Sequence, residues 1–171
     1  MAVQVHRLTG EEAEPTTTDI TDSNTRLNAE DAHSESGTNN PILIPDDGTN
    51  YSYKASTQLY FDGSGTGTID NIKWYTDGDN ELGTGVGLQV ATAGEYSQAT
   101  GTEGETGDDI TGDDAFNYTS GSPLDVDGSV TDPADELFGD IVELQTTVGD
   151  NASAGATTSE TMTFRYDSTV A

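Results

Sequence analysis

Two imidazoles, His6 and His33, and 32 carboxylates are the groups with which this chain could do acid–base or metal chemistry; there is no cysteine. Without thiols there are no disulfides, thiolate nucleophiles or thiolate metal sites. Imidazole-based zinc binding or catalysis needs several ligands converging at short spacing, as in His-x-x-x-His. His6 lies in an alternating apolar stretch and His33 in an acidic one, so both read as ordinary strand and surface residues. No Gly-x-Ser-x-Gly elbow presents a nucleophilic serine. Paired carboxylates occur at Asp46-Asp47, Asp108-Asp109 and Asp113-Asp114. Glycosidases use two carboxylates about 5–10 Å apart, but among 32 acids such pairs arise by chance. Asp77-Gly78-Asp79-Asn80-Glu81 and Asp125-Val126-Asp127-Gly128 place acidic oxygens at alternate turn positions. A hard cation such as calcium takes oxygen ligands of this kind. Neither stretch completes an EF-hand, and solvated acidic turns are the competing reading. Gly63-Ser64-Gly65-Thr66-Gly67 lacks the lysine and helix of a phosphate loop and reads as a hairpin turn. We therefore expect no catalytic residue, no cofactor and no metal site, and hence no enzyme.

The elements that would position any site are strands. Ala2 to Leu8 alternate with period two, and Thr16 to Thr21 are largely β-branched. Residues 28–41 read as a loop, and Ile42-Leu43-Ile44 is an apolar piece held between Pro41 and Pro45. Tyr51, Tyr53, Ala55, Thr57, Leu59 and Phe61 share one face of a strand, the pattern of a half-buried sheet. Thr68 to Tyr75 follows, with Ile72 and Trp74 on one face and Ile69 and Tyr75 on the other. Val86, Leu88 and Val90 alternate, as do Val142, Leu144, Thr146 and Val148, then Met162, Phe164 and Tyr166. Residues 98–114 read as a long exposed acidic loop, and Asn151 to Thr158 as a second loop. A helical turn is expected at Pro133 to Leu137, with Asp132 as its N-cap. About seven short strands with Gly-rich turns indicate one all-β domain over residues 1–171, an antiparallel β-sandwich of jelly-roll or immunoglobulin-like type with long acidic loops. Its core should hold Trp74, Leu59, Phe61, Ile72, Leu88, Val142, Leu144 and Phe164. Residues 1–10 are either an assembly arm or the first strand of the sandwich.

Composition names the solvent. The 171 residues carry 32 acids against 5 bases, a formal charge of -27, and are only 31% hydrophobic. Such a polyanion repels itself at low salt. The Debye length shrinks from about 10 Å at 0.1 M salt to about 3 Å at 1 M, so brine removes most of the repulsion. A halophilic origin accounts for this balance, whereas clustered, alternating apolar residues argue against disorder. The charge disfavours free nucleic acid, which needs a basic patch, and an anionic membrane surface. No apolar run reaches the length of a membrane span, and no leader pattern opens the chain, so no secretory signal is expected.

Several stretches carry a resemblance. Met1-Ala2-Val3-Gln4-Val5-His6-Arg7-Leu8-Thr9-Gly10, Asn24-Thr25-Arg26-Leu27 and Pro41-Ile42-Leu43-Ile44-Pro45 are among them. Gly48 to Tyr53, Asn71 to Gly78, Gly83 to Val86 and Ser159 to Asp167 follow in order. Together they resemble small virion structural proteins of tailed phages. The acid-rich stretch from Thr102 to Asp114 departs from that pattern and points to a tailed virus of halophilic archaea. The resemblance implies a non-enzymatic subunit located in the virion. It would sit on the capsid exterior as a turret or decoration, or at the neck or tail. Its partners would be copies of itself, as a homo-oligomer, and other virion proteins. It brings no catalytic residues. The competing function is a host-surface or carbohydrate-binding module on the same particle, with Tyr96 and Tyr118 as aromatic contacts.

Overall fold

A computed structural model describes residues 2–36 and 38–171. Met1, the first residue of the stretch weighed as an arm, and Gly37, in the 28–41 loop, lie outside the described residues. Among the described residues thirteen strands form, in chain order. They are β1 (Ala2–Thr9), β2 (Thr16–Asp19), β3 (Thr49–Tyr51), β4 (Ala55–Ser64), β5 (Thr68–Tyr75), β6 (Val86–Ala93) and β7 (Gly101–Thr102). β8 (Thr106–Gly107), β9 (Asp113–Asp114), β10 (Leu124–Asp125), β11 (Val130–Thr131), β12 (Ala134–Gly149) and β13 (Thr163–Ser168) complete the set.

The fold is an antiparallel β-sandwich. Its larger sheet runs β2-β1-β4-β12-β6-β9, with β3 continuing the line of β4 along β12. In the smaller sheet β5 is central, with β10 and β11 on one side and β13 on the other. Between the sheets lies the main core. Leu59 and Phe61 of β4, Leu88 and Val90 of β6 and Val142 and Leu144 of β12 meet Ile69, Ile72 and Trp74 of β5. Trp74 and Val142 are completely buried. The alternation of apolar residues chose these strands, because burying one face of each sheet is the main driving force available to so lean a chain. Residues 2–9 are a strand inside the larger sheet, flanked by β2 and β4.

Five local expectations need correction. The strand expected from Tyr51 to Phe61 is interrupted at Ser52-Tyr53-Lys54, where Ser52 Oγ accepts from Thr146 N. That jog moves Tyr53 out of the main core into a small cluster with Ala29, Ala99 and Ile42. Gly63 to Gly67 is not a hairpin turn: it carries the chain from β4 in one sheet to β5 in the other. Gly67, at φ +130°, lies where a Cβ would sit 2.6 Å from the Thr169 carbonyl oxygen, so the crossing needs glycine. The helical turn at Pro133 to Leu137 does not form. Asp132 and Asp135 adopt positive φ, and their carboxylates accept from Gly67 N and Gly63 N across the sheet junction. Ile69 and Ile72 both face the core, because Asn71 at φ +50° bulges β5 and resets its alternation. Phe164 stays half-buried at the sheet margin instead of entering the core.

The 98–114 stretch is more than an exposed loop. It folds as the β7–β8 hairpin, then adds β9 to the edge of β6. It lies against the face of β12 opposite the main core, so both faces of that strand are covered.

Candidate functional site

Cations are scarce enough that each can be traced. Lys54 Nζ donates to Glu143 Oε1 and to Ser97 Oγ, both at 2.6 Å. Lys73 pairs with Asp125. Arg7, 1% exposed, donates from Nη1 to Thr25 Oγ1 at 2.6 Å and to the Arg26 carbonyl at 2.7 Å. Burial holds its guanidinium down to about 10, against the pull of Asp31 and Glu30. Arg26 Nε donates to the Glu35 carbonyl. Arg165 lies over the Tyr75 ring, 5.8 Å from its centroid, and is exposed. Among the described residues Arg165 has no carboxylate partner.

The residues with potential for chemistry are dispersed. His6 stacks on Tyr60 at 4.3 Å, and its Nε2 meets Gln4 Oε1. His33 Nδ1 meets Thr25 Oγ1 at 3.1 Å. No three His, Asp or Glu side chains among the described residues converge as a metal cage. Asp77 Oδ1 closes a turn onto Asp79 N, and Asp125 is taken by Lys73. Asp109, held below the usual carboxylate range by Thr111 N and Gln89, also serves a turn. Asp113 accepts from the Tyr118 hydroxyl and Asp108 from Thr100. The Tyr96 hydroxyl donates to the Gly10 carbonyl, and burial pushes its ionisation up to about 12. Both tyrosines weighed as aromatic contacts therefore have their hydroxyls engaged within the fold. No helix among the described residues is long and apolar enough to cross a membrane.

What the fold does assemble is a groove. At one end of the sandwich, Val86, Leu88, Leu144 and Val148 form the floor of an apolar depression of about 590 Å3. Ile42-Leu43-Ile44 and the 152–160 segment form its walls. Leu43 and Ile44 are the exposed large aliphatic residues among those described, at 49% and 37%. The short apolar piece between two prolines was visible in the sequence; its place at the groove was not, because that depends on Leu43 N bonding to Glu105 O and Ala29 N to Asn40 O. A second feature is the open sheet margins: among the described residues β2 pairs only with β1 and β13 only with β5, as β9 does only with β6. Comparison with protein-family models, curated proteins and solved structures returned no match to this chain.

Proposed function

We propose that this chain is a non-enzymatic structural subunit of a tailed virus of halophilic archaea. It sits on the capsid exterior as a turret or decoration, or at the neck or tail. It assembles there with copies of itself and with other virion proteins. The observation that carries the reading is the placement of Leu43 and Ile44, exposed beside an apolar groove on a body of net charge -27. Leu43 and Ile44 are contiguous with the apolar groove, and an exposed apolar patch of this kind marks a surface that another molecule covers. Apolar contact also suits molar salt, in which long-range steering by charge is screened. The resemblance of the 41–45 and 71–78 stretches to virion proteins supplies the setting.

Purified particles provide the test. The protein should appear in the virion fraction and at a fixed place in the imaged particle. Leu43→Asp with Ile44→Asp should abolish incorporation while the free chain keeps its β-sheet circular dichroism in molar potassium chloride. Absence from particles, or unimpaired incorporation of the double variant, overturns the reading.

A further inference from the structure

We propose that two copies of this chain pair through β13, antiparallel and in one register, extending the smaller sheet across a two-fold axis at Tyr166. The inference rests on the self-assembly reading above and names its contact. β13 is hydrogen-bonded to β5 alone, and no strand of the described residues lies on its other side. An open strand edge is a template for another strand. Two inward residues of β13, Phe164 and Tyr166, touch the core yet remain only half-buried. In a chain with 7% aromatic residues, that is apolar surface left for a neighbour to cover.

The strand's own sequence selects the partner and the register. β13 keeps a regular two-residue alternation, because the bulge opposite it lies in β5, where Asn71 and Ile72 face the single Tyr166. Arg165 and Asp167 are thus on the same, exposed face. In an antiparallel pair, directly opposed residues share a face. An axis at Tyr166 sets Arg165 against the partner's Asp167, and by symmetry Asp167 against the partner's Arg165. An axis at Arg165 or at Asp167 opposes like charges, which is destabilising. An axis at Phe164 forms no ion pair, and an axis between residues puts an outward side chain opposite an inward one. The Tyr166 axis alone satisfies both the alternation and the charges. Arg165 is also the exposed guanidinium without a carboxylate partner, already held over Tyr75. Asp167 accepts from Asn71 Nδ2 at 2.8 Å through Oδ2, leaving Oδ1 for the partner. Backbone hydrogen bonds and aromatic burial would supply affinity that salt does not screen, and the ion pairs would fix the register.

Sedimentation of the full chain in molar potassium chloride tests this. The wild type should dimerise. Arg165→Asp alone and Asp167→Arg alone should each weaken dimerisation by at least about tenfold, since each opposes like charges twice. Mixing the two variants should restore a heterodimer, because every opposed pair is then of opposite sign. Circular dichroism confirms that each variant is folded. The chain has no cysteine, so Arg165→Cys mixed with Asp167→Cys should form a disulfide-linked dimer on oxidation, more readily than either variant alone. A wild type that stays monomeric at high concentration, or a dimer indifferent to both charge changes, overturns the proposal. A dimer of that indifferent kind still leaves self-assembly standing, whereas absence from virions removes the functional reading whatever β13 does.

Discussion

The Gln145 side-chain amide donates to the Asp108 carbonyl at 2.8 Å, tying the acidic 98–114 stretch to the longest strand of the larger sheet. Gln145 is completely buried. Its Nε2 also donates to the Ser52 carbonyl at 2.8 Å, and its Oε1 accepts from Ile110 N at 3.0 Å. One side chain therefore completes the hydrogen bonding of two segments that have no regular strand there. Gln145→Leu would keep the volume and orphan all three backbone groups. Each unsatisfied buried group costs about 1–3 kcal/mol. Some regain water when the loop lifts, so we expect a net loss of about 2–4 kcal/mol in denaturant unfolding. Limited proteolysis should find new cuts between residues 101 and 114. Unchanged stability together with an intact loop would remove Gln145 from this role.

Arg7 plays the matching part for the coil that follows β2. Its guanidinium is buried, reaches the Arg26 carbonyl and orders Thr25, which in turn orders His33. Arg7→Met retains much of the stem but leaves the Arg26 carbonyl without its donor, costing on the order of 2 kcal/mol. Arg7→Lys should recover little, because a single ammonium does not reproduce a planar fork. Increased hydrogen exchange is expected in residues 22–36 of both variants, with β4 and β12 unaffected.

These two anchors show what the sequence concealed. β1, β4, β6, β12 and β13 were legible because one face of each must be apolar, and the residues alternate accordingly. Burial of Arg7 and Gln145 was not legible. A polar residue in a strand reads as facing solvent, but Gln145 is covered by the 98–114 stretch on the outer face of the larger sheet, and Arg7, on the same face as Val5 and Leu59, is covered by the coil around Thr25 and Arg26. The crossing at Gly63 to Gly67 was misread for a similar reason. A glycine-rich connector has the same composition whether the chain turns back within a sheet or passes to the other one. The positive φ of Asn71 has no sequence signal beyond asparagine's tolerance for it, yet it turns Ile69 inward. Of the groove, Leu43 and Ile44 were visible as an apolar piece, but their walls come from residues more than a hundred positions apart.

Acidification should destabilise the fold through its histidines. Burial lowers both His6 and His33 below the ordinary value of 6.5, outweighing nearby Asp19 and Asp62 at His6 and Glu35 at His33. Where the folded value lies below the unfolded one, the unfolded chain binds more protons. Stability is then full above 6.5 and falls as the pH drops from there toward the folded values. In molar salt, where carboxylate repulsion is screened, thermal midpoints measured from pH 7.5 down to 5.5 should decline. His6→Phe keeps the stacking on Tyr60 and should flatten part of that decline. A midpoint that rises on acidification in molar salt would contradict the assignment.

Salt should raise stability well beyond its effect on an ordinary protein. Only Lys54–Glu143 and Lys73–Asp125 form ion pairs among the described residues, so most of the 32 acids face solvent with like neighbours. Their repulsion acts over about 10 Å at 0.1 M salt and about 3 Å at 1 M. The carboxylates that hold structure, such as Asp132 toward Gly67, act through short hydrogen bonds that persist on screening. Unfolding midpoints should therefore climb steeply between about 0.1 and 1 M potassium chloride and more slowly above that range. A variant carrying Glu11→Gln, Glu12→Gln, Asp46→Asn and Asp47→Asn removes four exposed charges whose side chains form no ion pair among the described residues. It should need less salt to reach the same midpoint while matching the wild type in brine. Equal salt dependence of the two would mean that repulsion is not what brine relieves, and specific binding of cations to the acidic turns would then have to be measured.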